Sequence, residues 1–536
     1  MKSENLQMVI AFVLVVVILF IWQFLFLRRQ PQNQTVAAAP APAQPTPPTP
    51  AGPQKQLPAS QSPLPETTIT LQNDFLSLEL TSRGGGLKQT RLIKFGAELV
   101  PADSILFGSQ VQIQDRSYDL ACLPVTIGFA DSSVTFSYEI EGMTITKTWR
   151  LGRDYTLALS VASTGPVAAL TLDCQAGIAT TEQNLREDLA NFHFYARRNG
   201  KVHQLSHANL RKRQFGGPAD WVGIKSKYFF LALVNEHAEF DSTQALALDD
   251  GRIGFWARTG FDDEIAGSRA QFLIYLGPIE YNRLRSFRLG FENVVSLGWL
   301  KPVALGILWL LRLFYSLFRN WGVAILFFSV LMKAAFYPLT RTQTRQMRQM
   351  QLLQPKLEEL KRKFQDDPKM LNEETMRLYR LYRINPLSGC LPLLVQMPIF
   401  FALYAVLRTF IELRGARFIL WLKDLSQPDT LFGHLPRGLP MLGGSAIGLL
   451  PILMGVSFIA QNLMTSTDKK NWALTILFPI FITAIFLNLS SGLQLYWFIY
   501  NILSILESVV AIKGGSLWRR TKPQTSTTSP PTQTLK

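Results

Sequence analysis

Residues 321 to 340 read WGVAILFFSVLMKAAFYPLT. A run of about twenty mostly apolar residues is long enough, as a helix rising 1.5 Å per residue, to cross the hydrocarbon core of a bilayer. This stretch sets the class of the chain: a protein with membrane spans. One residue breaks the pattern. Lys333 lies seven positions before Thr340, roughly 10 Å from the polar end of the segment. An ammonium at depth costs about 2.5–3.5 kcal/mol on insertion scales. Two readings stand. Either the lysine snorkels to the interface, or it is kept for function and has polar company.

Working toward the C-terminus, Tyr337-Pro338 is expected to end this span. Residues 341–388 are strongly charged, led by Arg341, Arg345, Arg348, Lys356, Lys361, Arg362 and Lys363. Met347, Met350, Leu353, Leu357 and Leu360 recur at helical spacing, Asp366-Asp367-Pro368 marks a turn, and Glu374–Arg383 is helical again. The pattern predicts a basic helical hairpin outside the bilayer. Further spans are predicted at 391–411, 448–464, 473–489 and 491–511, with Gly492 after Ser490-Ser491 marking a tight turn. The hairpin, the Asp468-Lys469-Lys470 loop and the tail 513–536 then share one side. The positive-inside rule makes that side cytoplasmic.

Working toward the N-terminus, residues 299–319 are apolar but carry Arg312 and Arg319, seven apart and near one helix face. That suits an amphipathic helix lying in the interface. Residues 66–298 alternate with period two: Leu76, Leu78, Leu80; Val134, Phe136, Tyr138, Ile140; Tyr155, Leu157, Leu159, Val161. Many short strands of this kind predict a β-sandwich. Arg83-Gly84-Gly85-Gly86 reads as a turn needing positive φ, because no helix pattern or GK[ST] follows. Residues 30–65 hold repeated prolines and form an extended linker. Met8–Leu27 is about 20 apolar residues long, which favours an uncleaved signal anchor over residues 1–29. A cleaved peptide at Ala37–Ala39 is the alternative. With an N-inside anchor the β-rich region falls outside the inner membrane, and both termini are cytoplasmic. Arg28 and Arg29 argue weakly against that orientation.

The net charge is +16, but much of it flanks hydrophobic runs, where it fixes orientation and attracts anionic lipid. Sequence-specific nucleic-acid binding is not expected. Of the three cysteines, Cys122 and Cys174 share one segment and can pair if it is exported; Cys390 reads as a small apolar residue. No CxxC or Cys/His spacing suggests a metal, and no cofactor or catalytic constellation emerges.

Other polar residues accompany Lys333 in the spans. Ser329 lies one turn away on the same face. Gln396, Gln461 and Asn501 fall at related depths near the cytoplasmic ends of their spans, with Gln494 deeper. Glu507 either partners Lys333 or faces the headgroups. These groups either line a wet, positively charged cavity or act as interhelical glue, at about 0.6 kcal/mol each. The predicted spans contain no Asp, no acidic pair and no His chain for a proton relay. Gly and Pro do not recur at matching places in two halves, as an inverted-repeat transporter requires.

At these residues the chain resembles the YidC/Oxa/Alb family of membrane protein insertases in its Gram-negative form. The likeness rests on Tyr337-Pro338-Leu339-Thr340, Leu353-Gln354-Pro355-Lys356, Asn385-Pro386-Leu387 with Gly389-Cys390, Leu393–Ile399, Glu412-Leu413-Arg414, Leu450–Gly455, and Ser491-Gly492-Leu493 with Leu495-Tyr496. Trp221-Val222 and Tyr228-Phe229 add weaker support. The resemblance implies an α-helical polytopic membrane protein: a five-helix insertase core plus a signal-anchor helix, with a large periplasmic β-supersandwich like sugar-binding folds. It implies insertion and chaperoning of nascent inner-membrane proteins, alone or with the Sec translocon and its accessory subunits, with the ribosome a further partner. It also implies a hydrophilic groove open to cytoplasm and lipid. Groove residues would be Lys333, Ser329, Gln396, Gln461, Gln494, Tyr496, Trp497 and Asn501. Lys333 stands where the family carries arginine; lysine keeps the charge but loses the planar fork. Two rival classes remain: a transporter or channel for an anionic solute, and a membrane-anchored periplasmic binding module.

Overall fold

The computed structural model describes residues 66–130, 132–212, 215–261, 269–382, 391–436, 443–465 and 473–520. The expected anchor, the proline-rich linker, the Asp468–Lys470 loop and the end of the tail lie outside the described residues. So do Asn385-Pro386-Leu387 and Gly389-Cys390.

The period-two stretches become antiparallel strands. Leu76, Leu78 and Leu80 are buried to 1% exposure or less, as are Val134, Phe136 and Tyr138, while the alternating Ser77, Glu79, Thr135 and Ser137 are part-exposed. A nine-stranded sheet runs, edge to edge, through Lys201–Ser206, His193–Arg198, Trp221–Lys225, Phe229–Asn235, Arg269–Pro278, Thr156–Ser163, Met143–Leu151, Ser133–Ile140 and Thr126–Ala130. A six-stranded sheet runs through Phe215–Ala219, Phe240–Ala247, Ile253–Gly260, Ala169–Cys174, Gly108–Ile113 and Arg116–Asp119. A four-stranded sheet, Thr68–Gln72 to Ala97–Glu98, completes the region. The two larger sheets share one core: Phe240 stacks on Phe272 with centroids 6.0 Å apart, and Phe194 meets Phe255 at 6.1 Å.

The glycine run is a turn. Gly84 and Gly85 have φ of 65° and 54°, where a Cβ is disfavoured, and a strand (Gly86–Leu92) follows. Buried Lys147 fastens this turn, donating to the carbonyls of Gly84 and Phe107 and to Ser109 Oγ. Burial pushes its amine down to about 7. Cys122 and Cys174 are both free, one exposed and one in the core, and burial pushes the Cys174 thiol up.

Seven helices follow among the described residues: α1 (Lys301–Phe318), α2 (Trp321–Lys363), α3 (Pro368–Leu381), α4 (Leu391–Thr409), α5 (Leu449–Thr465), α6 (Phe478–Phe486) and α7 (Ser491–Arg520). Lys301–Phe318, Trp321–Thr342 and Ser491–Val510 are long and apolar enough to cross a membrane; Leu449–Met464 and Thr475–Phe486 are shorter apolar helices. Three features of these helices add to the sequence reading. The helix does not end at Pro338 but runs on through Pro338 and Pro355 for 43 residues. Losing one N–H bond weakens a helix locally, and here Thr340, just beyond the proline, is held by Glu507 on α7. In α1, Arg312 pairs with Glu412 at 2.7 Å and lies over the Phe410 ring. Trp309, Leu313 and Leu317 are exposed on the same helix. Finally, the apolar part of α7, Ser491–Val510, matches the span predicted at 491–511, and the helix itself continues to Arg520.

The segment after α4 joins the two halves. Ile411 belongs to the β core. Arg414 donates to Glu182 (2.9 Å), to Phe95 O (2.8 Å) and to Thr181 O (3.1 Å), and its guanidinium sits 5.8 Å from the Phe229 ring centroid. Gln427 donates to the other Glu182 oxygen at 3.2 Å. Burial pushes the Glu182 carboxyl up, and Arg414 pulls it back. The same segment meets the start of α7, where the amides of Ser491 and Gly492 donate to Gln427 O and Leu425 O. Two clefts of about 310 and 330 Å³ lie along this junction, lined in part by Arg312 and Glu412, and by Glu187, Lys227 and Arg408.

Glu182 has a side chain only 4% exposed, so removing its cation strands a buried charge, at a cost of about 3–5 kcal/mol. Arg414→Ala is therefore expected to lower the thermal midpoint of the detergent-solubilised protein and to let protease separate the β region from the helices. Arg414→Lys, which keeps the charge but not the fan of donors, should fall between.

Candidate functional site

The site is built on the facing sides of α2 and α7. Along α7, Tyr496, Tyr500, Ser504 and Glu507 recur at spacings of four, four and three, which places them on one helix face. Along α2, Ser329, Lys333 and Thr340 lie at spacings of four and seven. The two stripes meet. The Lys333 ammonium donates to Ser504 Oγ at 2.8 Å, pairs with Glu507 Oε2 at 2.7 Å, and lies 4.9 Å from the Tyr500 ring centroid. Thr340 Oγ1 donates to the second oxygen, Glu507 Oε1, at 3.0 Å.

This geometry answers the two readings of Lys333. Its ammonium and the Thr340 hydroxyl touch the same carboxylate, so the lysine stem reaches along α2 toward the Thr340 end. It stops at a protein carboxylate rather than at lipid headgroups. The side chains of Lys333 and Glu507 are 11% and 13% exposed. A cation and an anion so placed offset each other's desolvation through close contact. Lys333 and Glu507 form an ion pair where the sequence left open a positively charged cavity or interhelical glue. Glu507 is the partner, the first of its two sequence alternatives.

The remaining predicted residues divide into three groups. Gln396 of α4 donates to the Tyr496 hydroxyl at 2.6 Å, linking α4 to the same α7 stripe. Trp497 packs edge-on to Phe400 at 5.2 Å and tilted against Phe486 at 5.3 Å. Its position next to Tyr496 extends the stripe toward α4 and α6. Asn501 turns about 100° from Tyr500 and donates to Ser457 Oγ of α5 at 3.2 Å. Gln494 donates to the carbonyls of Phe486 and Leu489, closing the C-terminal end of α6, whose last carbonyls lack intrahelical donors. Ser329 is fully buried and donates to the Ile325 carbonyl of its own helix; it lies on the Lys333 face without a bond to the ammonium. Gln461 sits part-buried on α5.

The structure thus gathers Lys333, Gln396, Tyr496 and Trp497 along α7's inner side, while Asn501 and Gln494 serve the α5 and α6 contacts. Ser504, Tyr500, Thr340 and Ser457 belong to this polar set and were missed as site residues. The α7 spacing Tyr496-Tyr500-Ser504-Glu507 is the signal from which two of these positions, Tyr500 and Ser504, are recoverable.

Comparison with known proteins adds to this geometry. Residues 313–516 match the family described as 60Kd inner membrane protein, and residues 110–310 match the YidC periplasmic domain. A membrane protein insertase YidC from Pelobacter propionicus is 30% identical over 484 residues, covering 84% of this chain and 88% of that protein. The chain belongs to the YidC family of membrane protein insertases. A second YidC, from Chlorobaculum parvum, is 31% identical over 82% of this chain and 81% of its own length. The crystal structure of an active YidC insertase with its first transmembrane domain resolved is 19% identical, covers 82% of this chain and 92% of that one, and superposes with a TM-score of 0.39. The two family matches fall on the helical membrane core and on the β-sandwich domain, and the curated relatives are membrane protein insertases.

For this insertase, the Asn501–Ser457 contact is interhelical glue of ordinary strength. A double-mutant cycle with Asn501→Ala and Ser457→Ala, read from unfolding in detergent, is expected to give a coupling of about 0.6 kcal/mol.

Proposed function

We propose that this insertase receives hydrophobic segments of nascent membrane proteins at the cytoplasmic face and releases them sideways into lipid, alone or beside the Sec translocon and its accessory subunits. The reading places the first half of α2 and α4 to α7 in the inner membrane, both termini in the cytoplasm and the β-sandwich in the periplasm. It places α1 flat in the interface. The observation that carries it is the buried ion pair of Lys333, set between two bilayer-length helices whose other faces, at Phe327, Val330, Leu331 and Leu506, are exposed and apolar.

The basic hairpin formed by the distal half of α2 with α3 makes first contact. Asp367 caps α3 by accepting from the Lys369 and Met370 amides, with Pro368 fixing the first turn. None of α3's residues is buried, and Met370, Met376 and Leu381 are exposed. Methionines of this kind adapt to varied apolar partners, and the surrounding Lys and Arg suit anionic lipid or ribosomal RNA. The polar leading end of a substrate then enters between α2 and α7, in a hydrophilic groove lined by Lys333, Gln396, Tyr496 and Trp497. The ammonium attracts acidic groups there. The hydrophobic segment partitions along the apolar flanks of the same helices. The potential across the membrane contributes about 2.3 kcal/mol per charge per 100 mV, so the reading needs no nucleotide or cofactor.

Complementation of insertase-depleted cells tests this. With a substrate whose translocated tail is acidic, Lys333→Arg should insert it well. Lys333→Ala should lose on the order of tenfold, the equivalent of about 1.4 kcal/mol, and Lys333→Glu should be worst. If Lys333→Glu inserts that substrate as well as the native lysine, attraction by the cation is wrong.

A further inference from the structure

We propose that Glu507 is an internal stand-in for the substrate's acidic group: it occupies Lys333 at rest and yields it to a carboxylate arriving between α2 and α7. This rests on the reading of Lys333 as the attracting charge. It adds a specificity device, because the cation is offered only to a ligand able to replace the carboxylate it already holds.

Three features of the geometry carry it. First, the ammonium has little unclaimed surface. Ser504 Oγ lies at 2.8 Å, Glu507 Oε2 at 2.7 Å and the Tyr500 ring at 4.9 Å, so an incoming group must displace one of them. Ser504 is the hardest to move, since its hydroxyl also donates to the Tyr500 carbonyl of its own helix at 2.9 Å. Glu507, on a longer side chain, exchanges like for like.

Second, Glu507 has somewhere to go. Its other oxygen accepts from Thr340 at 3.0 Å, nearer the predicted cytoplasmic end. A carboxylate released from Lys333 keeps that bond and gains water from the cytoplasmic side. Third, the exchange is selective on electrostatic grounds. An uncharged tail that parts the pair leaves two poorly solvated charges, which is costly. An acidic tail restores the ammonium's partner. Lysine suits this better than arginine, because a point charge releases one carboxylate without breaking a bidentate fork.

The test uses the full-length protein in proteoliposomes, with a photo-crosslinker at Leu331. Two single-span probes differ only in the N-terminal tail, one carrying two Asp residues and the other Asn at the same places. Glu507→Gln should raise crosslinking of the Asp probe on the order of threefold to tenfold and leave the Asn probe unchanged. The charge-reversed variant, Lys333→Glu with Glu507→Lys, keeps an ion pair and so protects the fold. It should prefer a Lys-tailed probe over the Asp-tailed one. Equal gains for both tails with Glu507→Gln, no gain for either, or a retained Asp preference in the reversed variant would overturn the stand-in role. The double variant Lys333→Ala with Glu507→Gln separates the two ideas. If it keeps the Asp preference, the attraction by Lys333 itself is wrong. If it loses that preference while Glu507→Gln alone changes nothing, only the stand-in role falls.

Discussion

A lysine among bilayer-length helices must have a partner, and that requirement fixes how the core of this insertase is assembled. Lys333 finds Ser504 and Glu507 on α7, which sets both the rotation of α7 and its depth against α2. A slip of one residue would turn Glu507 about 100° away and leave the charge stranded. With α7 so placed, Tyr496 faces α4 and meets Gln396, and Asn501 faces α5 and meets Ser457. The polar side chains of α7 thus reach α2, α4 and α5 in turn.

The seam between α2 and α7 is also fixed at its other end. The segment after α4 ties the β-sandwich to the helices through Arg414 and Glu182, and its Leu425 and Gln427 carbonyls accept from the first amides of α7. Asn320, capping α2, reaches the Arg417 carbonyl of that segment as well. The start of α7 is thereby held by two backbone hydrogen bonds to the segment after α4, and that of α2 by the Asn320 side chain. Their other ends are held by one ion pair and one threonine. Backbone contacts have no charge-bearing competitor, whereas a carboxylate can be replaced by another carboxylate. In the proposed reading the seam opens at the Lys333 end.

Much of this was legible in the sequence because it is written in local periodicity. Spans show as apolar runs and strands as alternation, and both survive folding because each is decided within a window of a dozen residues. Lys333 stood out for the same reason, as one charge against an apolar background. What local pattern does not contain is the rotation of one helix against another. Glu507 lies 174 positions from Lys333, and local pattern left open whether it partners the lysine or faces the headgroups. Gln494 looked like a groove residue because it is polar and deep; its carbonyl partners at the end of α6 depend on a tight turn. Arg312 looked interfacial because it recurs with Arg319, but Glu412, a hundred positions away, claims it. Pro338 stands near the end of the apolar span, Trp321–Thr342, while the helix itself runs on to Lys363.

A neutral resting pair also resolves a conflict built into the proposed task. A groove that attracts acidic groups needs a cation within the bilayer, yet an unpaired cation there draws in water and anions and compromises the seal of the membrane. Pairing Lys333 with Glu507 removes the net charge when no substrate is present. The attraction then appears only as the pair parts, which confines it to the moment when a ligand fills the seam. Arginine, as the resemblance places it in other members, would bind a carboxylate through two parallel bonds and part from it less readily. The single-point contact of lysine is the one better matched to a counter-ion that has to leave.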